Sequence, residues 1–203
     1  YKRQKYGGRE MAVGKKGEKT KRKIFVTAMK LFKEKGYDNV TVDEIVKEAE
    51  IAKGTFYIYF RTKAHIVAEV FTELDINYEK SMKKVEFLGS SVEKVKKLLN
   101  DAIEIQRDYV GYDLSTIGYR AQLELHIEYS MDEERPLYQY TAKLIREGQM
   151  RGEFNKDNTP EYYTKILIRS IRGAIYEWCV SYNNYDFVED GKKYIENLLK
   201  ILK

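Results

Sequence analysis

Little in this chain suits covalent or metal chemistry. Its 203 residues include one cysteine, Cys179, and two histidines, His65 and His126. A single thiol excludes an internal disulfide and fits a reducing compartment, so the expected location is the cytoplasm. No Cys or His cluster has metal-ligand spacing, no glycine-rich phosphate loop follows a strand, and no nucleophile elbow occurs. The carboxylates are plentiful but fall on polar helix faces. The expectation is therefore no catalytic centre, no metal and no cofactor. No apolar run reaches the roughly 18 residues of a membrane-spanning helix. Only two prolines occur, Pro136 and Pro160, and no segment alternates as a strand would, so the fold class is read as all-α.

The formal charge of +5 conceals an asymmetry. Residues 1–63 hold 17 Lys and Arg against 8 Asp and Glu, a net of +9, while the remainder holds 20 against 24, a net of −4. Such an imbalance is the electrostatic footprint of a phosphate-binding segment. The first twenty residues contain four glycines and seven Lys or Arg, with no hydrophobic stretch. They read as a flexible basic arm, not a secretory signal.

The basic part also holds the most specific motif, TVDEIVKEAEIAKGTFYIYFRTK, from Thr41 to Lys63. Thr41-Val-Asp-Glu44 has the form of a capping box, in which hydroxyl and carboxylate satisfy each other's exposed backbone donors. Ile45 and Ala49 share one face of a helix about two turns long. A turn at Glu50-Ile51-Ala52 leads to a second short helix from Lys53. Its Phe56, Tyr59 and Phe60 recur at i, i+3 and i+4 and can pack on the preceding helix. Lys53, Thr55 and Tyr57 are left outside, a cation, a hydroxyl and a phenol suited to phosphates and base edges. Two short helices around a tight turn form a device for placing one helix in the DNA major groove.

On these residues the segment from Ile24 to about Phe71 resembles the DNA-binding domain of the TetR (tetracycline repressor-like) family of bacterial transcription regulators. The matching positions are Gly36-Tyr37, Thr41, Ile45, Ala49, Ile51, Lys53-Gly54-Thr55-Phe56-Tyr57, Tyr59-Phe60 and Lys63. There are two departures. Glu50 stands where the family usually has Gly, and Ala52 where Ser usually caps the recognition helix, a loss typically of about 1 kcal/mol. The resemblance implies a homodimeric regulator, most simply a repressor, that binds a palindromic operator in double-stranded DNA and releases it when a small-molecule effector binds. It implies DNA contacts from Thr41, Lys53, Gly54, Thr55, Tyr57, Tyr59 and Lys63, with Thr41 and Lys63 beside the backbone. The alternative is a helical protein–protein adaptor without DNA binding, which would lack the steep salt dependence of a duplex binder.

The remainder reads as further helices. Ile24, Phe25, Ala28, Leu31 and Phe32 mark the first, stopped by Gly36. A long connector begins near Lys63, with Ile66, Val67, Val70, Phe71 and Leu74 in register. The next carries Val92, Val95, Leu99, Ala102, Gln106 and Tyr109, and residues 112–131 are helical in pattern. Pro136 and Pro160 suit the first turns of two more helices, and a last one covers roughly Phe187 to Leu202. This divides the chain into an arm (1–20), a three-helix helix-turn-helix head (21–66) and an effector-binding and dimerisation domain (67–203). In the family the last two long helices pair with those of a second subunit, which implies Leu144, Gly148, Ile171, Ala174 and Trp178 as the dimer interface. Polar groups on or beside apolar stripes are the effector contacts expected, namely Tyr78, Gln106, Gln122, His126 and Tyr129, around a cavity that is mostly apolar.

Overall fold

The computed structural model describes residues 15–126 and 129–203, and every regular element among them is helical. The chain divides into two compact units between Ile66 and Val67.

The first unit holds α1 (Lys15–Lys35), α2 (Val42–Glu48), α3 (Lys53–Tyr59) and the first turn of α4 (Lys63–Val85). Of the expected arm, residues 1–14 lie outside the described residues, whereas residues 15–20 belong to α1. Unbranched lysines and Glu18 favour continuing the helix upstream of its apolar stripe, and Thr20 donates to the Lys16 carbonyl at 3.0 Å. Ile24, Phe25, Ala28, Leu31 and Phe32 are all buried, together with Val40, Ile45, Ala49, Phe56 and Phe60. Gly36, at φ +80°, ends α1 in the left-handed region that favours glycine.

In the second unit α4 continues and is followed by α5 (Ser91–Ile105), α6 (Tyr112–Leu125), α7 (Pro136–Arg151), α8 (Pro160–Val180) and α9 (Phe187–Leu198). Local chemistry accounts for most of the starts. Ser90 and Glu93 form a capping box at α5, Thr159 accepts from Tyr162 N at α8, and Asp186 accepts from Val188 N and Glu189 N at α9. Both prolines occupy first turns. The core is built from Leu98, Leu99, Ile103, Leu144, Ile145, Leu167, Trp178 and Ile195.

Two elements depart from the expected pattern. After Ile105 the backbone widens into a π-helical turn, Gln106–Val110, closed by Gly111 N bonding to Gln106 O at 2.9 Å. The extra residue rotates the following side chains, so Val110 is buried and Tyr109 is turned outward, donating to Glu73 Oε2 at 3.1 Å. The helix expected over residues 112–131 stops at Leu125, with His126 at φ +51° as its C-cap; a short 3-10 turn, Tyr129–Met131, follows the two residues outside the description.

The expected dimer residues need correction, because four of the five are packed within a single chain. Leu144 and Ile171 are core. Trp178 stacks on Phe187 at 4.5 Å, meets Tyr112 edge-on and donates from Nε1 to Asn183 Oδ1 at 2.8 Å. Gly148 lies under Phe154, whose ring would sit 2.1 Å from an added Cβ. Ala174 is half-buried. The apolar stripes of α7 and α8 are covered within the chain by α5, α6 and α9. The outward face of α8 carries Tyr162, Gly173, Tyr176 and Val180, and Met150 is exposed on α7. A Cβ at Gly173 would meet nothing within 4 Å.

Candidate nucleic-acid interface and interior cavity

The helix-turn-helix is set by local bonds. Glu44 N donates to Thr41 Oγ1 at 3.2 Å, and Thr41 N donates to Glu44 Oε2 at 2.8 Å. These bonds to Thr41, with Lys35 Nζ at 3.1 Å, hold the Glu44 carboxyl down at about 2. The Thr41 hydroxyl is therefore engaged in capping α2, although the residue itself stays exposed. Glu50 takes φ +50° at the turn, the conformation for which a glycine would be expected. Ala52 is the N-cap of α3 and supplies no side-chain bond.

On α3, Phe56 is buried against the unit, with Tyr57 edge-on to its ring at 5.3 Å. Lys53, Gly54 and Tyr57 are exposed, and Thr55 and Tyr59 are half-buried. Lys53 Nζ pairs with Asp43 Oδ1 at 2.7 Å; that hydrogen bond and the Asp43 charge raise its pKa. Both partners are more than half exposed, so the pair is easily exchanged for a phosphate. Gly54 has open space where a Cβ would stand. Sequence reasoning passed over Ile58, which is 59% exposed. Its spacing, four residues after Gly54 and one after Tyr57, was the available signal, and a branched apolar side chain there suits a thymine methyl.

Lys63 departs from its expected role. Its ammonium turns back and donates to the carbonyls of Tyr37 at 2.5 Å and Val40 at 2.7 Å, 4.2 Å above the Tyr37 ring. The Tyr37 carbonyl also accepts from Val40 N at 3.3 Å, and the second lone pair of such a carbonyl is open to the cation, so Lys63 fastens the loop after α1 to the start of α4.

Within the second unit lies a cavity of about 80 Å³. Val67, Val70, Phe71 and Leu74 line it from α4, Leu114 from α6, and Ile168, Ile171 and Ile175 from α8. Three of the expected contacts reach it: Tyr78, Gln106 and Gln122. Gln106 is buried and donates to Ser115 Oγ at 2.8 Å; Ser115 in turn donates to Gly111 O at 2.6 Å. Gln122 donates to Gly118 O at 3.3 Å and accepts from Ser130 Oγ. Burial pushes the Tyr78 phenol up to about 12, the Arg135 charge opposing and the Asp75 charge adding. His126 is corrected: it is exposed and outside the lining, because α6 ends there in a left-handed cap. The side chain of Tyr129 lies outside the described residues.

The cavity also holds residues the sequence reading missed. Arg135, just before α7, makes a bidentate pair with Asp75 of α4, Nη2–Oδ1 2.8 Å and Nε–Oδ2 3.3 Å, with side chains only 9% and 11% exposed. Tyr119 donates to the Arg172 carbonyl at 2.8 Å, and burial pushes its phenol well above the usual range against the Arg172 charge. Among the described residues no group of three or more His, Cys, Asp or Glu is placed to hold a metal, and no helix is long and apolar enough to cross a membrane.

Comparison with known proteins agrees with this geometry. Residues 24–70 match the family described as bacterial regulatory proteins, tetR family. The chain is similar to the uncharacterised HTH-type transcriptional regulator YuxN of Bacillus subtilis, 41% identical over 68 residues. That match spans 33% of this chain and 22% of YuxN, well under two thirds of its length. A second HTH-type regulator of B. subtilis, YvdT, is 24% identical over 182 residues, 88% of this chain and 92% of its own. Among solved structures it is similar in fold to Thermus thermophilus FadR, a TetR-family transcriptional repressor in complex with lauroyl-CoA. The TM-score is 0.68 at 20% identity, covering 90% of this chain and 95% of that one. The helix-turn-helix segment of the chain, residues 24–70, is thus that of the tetR family of bacterial regulatory proteins.

Proposed function

We propose that this chain is a homodimeric repressor that binds a palindromic operator and releases it when a small molecule fills the cavity of residues 67–203. The observation that carries the reading is the outer face of α3. Lys53, Gly54, Tyr57 and Ile58 stand exposed on a short helix whose inner face is anchored by Phe56 and whose partner helix is capped by Thr41 and Glu44. A cation for phosphate, a phenol and an apolar side chain for base edges, and a glycine for close approach form one reading surface.

Two such helices, one per subunit, enter successive major grooves about 34–36 Å apart. The dimer contact we assign is the outward face of α8 around Gly173 and Tyr176, where no Cβ blocks approach of a second helix. The cavity suits a ligand with an apolar body and few polar groups, and the lauroyl-CoA in complex with the T. thermophilus protein carries such a body in its acyl chain. α4 contributes cavity residues and begins at Lys63, so a ligand with unequal affinity for two arrangements of α4 shifts the population of DNA-competent dimers.

The test is protection of a palindrome in the DNA upstream of the protein's own gene, with affinity followed across salt concentrations. Specific binding should fall steeply with salt. At fixed salt, Lys53→Ala and Tyr57→Phe should each weaken it roughly ten- to a hundredfold with little change in melting temperature. Unchanged affinity in both variants removes α3 from the interface, and a salt-independent association would favour a protein partner.

A further inference from the structure

We propose that the effector is a monoanionic amphiphile, an acid group on a short apolar chain, and that Arg172 takes the acid group. The inference rests on the reading of the cavity as the effector site and adds the ligand's chemistry.

Two charged side chains line the cavity, Arg135 and Arg172. Arg135 is neutralised by Asp75 through its bidentate pair. Arg172 is half-buried, and among the described residues no carboxylate lies within ion-pair distance of its guanidinium. The wall of an apolar chamber is thus left with one uncompensated positive charge. A guanidinium partly withdrawn from water gains most from an anion that matches its fork of donors.

The remaining polar groups point the same way. The lining amides and serines are satisfied internally, Gln106 through Ser115 and Gly111, and Gln122 through Gly118 and Ser130. The Arg172 guanidinium has one side-chain hydrogen bond, to the neutral Tyr119 hydroxyl, which cannot engage all five of its donors, and the hydroxyls of Tyr78 and Tyr138 have no hydrogen-bond partner among the described residues. All can donate, so the vacant chemistry of the chamber is that of donors, and it calls for acceptors with negative charge. A volume of about 80 Å³ favours a short chain over a long one.

The experiment measures binding of hexanoate, octanoate and decanoate, and of the alcohols of the same lengths, by calorimetry and melting temperature. It uses the full-length protein, its Arg172→Gln and Arg172→Lys variants, and octanoyl-CoA as a further probe. The wild type should bind at least one carboxylate roughly tenfold or more tightly than its alcohol. Arg172→Gln should abolish that preference while keeping alcohol binding, and Arg172→Lys should restore part of it. Equal affinity for acid and alcohol, a preference that survives in Arg172→Gln, or no binding of any carboxylate overturns the inference. Octanoyl-CoA bound equally by wild type and Arg172→Gln, without carboxylate binding, overturns it too, since the anionic headgroup is then held elsewhere. The acid–alcohol comparison on the wild type stands even if a variant fails to fold. Duplex binding by the unliganded protein is followed in parallel, and its absence would count against the regulator reading and not against Arg172.

Discussion

The two units of the chain use polar side chains in opposite ways. In residues 15–66 they are mostly exposed and join near neighbours, Thr41 with Glu44, Lys35 with Glu44, Asp43 with Lys53. In residues 67–203 the decisive ones are buried or half-buried and join distant segments: Asp75 with Arg135, Tyr112 with the Cys179 carbonyl, Tyr119 with the Arg172 carbonyl. A surface pair in water contributes little and can be traded for DNA phosphate. A buried pair is maintained only because each partner would otherwise be left desolvated and alone. The head keeps its polar groups available, whereas the second unit locks most of them into its interior.

The largest expected effect tests that contrast directly. Asp75→Ala strands the Arg135 guanidinium in the interior and should lower stability by about 3–5 kcal/mol in urea denaturation. The double variant Asp75→Leu/Arg135→Met should recover much of the loss. If single and double variants lose the same, packing and not charge pairing is what the site supplies.

A pair of glycines sharpens the comparison inside the second unit. Gly148→Ala drives a methyl into the Phe154 ring and should cost about 1–3 kcal/mol. Gly173→Ala meets open space in one chain and should raise monomer stability by up to about 1 kcal/mol through helix propensity. Sedimentation should show the same change weakening the dimer proposed through this face. A tighter or unchanged dimer would move the interface away from Gly173.

In the head the expected gains are local. Glu50→Gly relieves a left-handed backbone, and Ala52→Ser supplies the missing cap of α3, so each should stabilise by about 1 kcal/mol. The two residues are close enough to couple, and thermal melts of the double variant would show whether the gains add.

The smallest effect is one of pH. Glu44 is held at about 2 by its bonds to Thr41 and Lys35, below its ordinary 4.5. Its contribution is therefore complete above about pH 4.5 and is lost as pH falls toward 2. A Glu44→Gln variant should lose this part of the acid sensitivity between pH 4.5 and 2. An identical acid profile in both proteins would mean that the capping carboxylate is equally bonded in the unfolded chain.

Much of the head was legible because its instructions are local. The Thr41 capping box, the stop at Gly36 and the inward Phe56 each depend on residues within one or two helical turns. What escaped there was Lys63, whose partners lie 23 and 26 residues back and carry no side-chain signature, since both acceptors are main-chain carbonyls. In the second unit the helices were legible and their facing was not. Trp178 looked like an interface anchor by its size, yet Phe187 and Tyr112 enclose it. His126 sat beside apolar residues in a helical pattern, and only the end of α6 turned it to solvent.

The amino-acid sequence by itself determined the helical composition, most of the caps, the basic bias of the first 63 residues and the identity of the helix-turn-helix. Each of these follows from spacing, propensity or charge summed along the chain. Tertiary structure alone decided which side of each amphipathic helix looks inward, that Val110 and not Tyr109 reaches the core, and that Arg135 meets a carboxylate while Arg172 does not. The reason is geometric. A helix with apolar residues on much of its circumference has several acceptable faces, and the choice among them is made only when the other helices arrive to cover one.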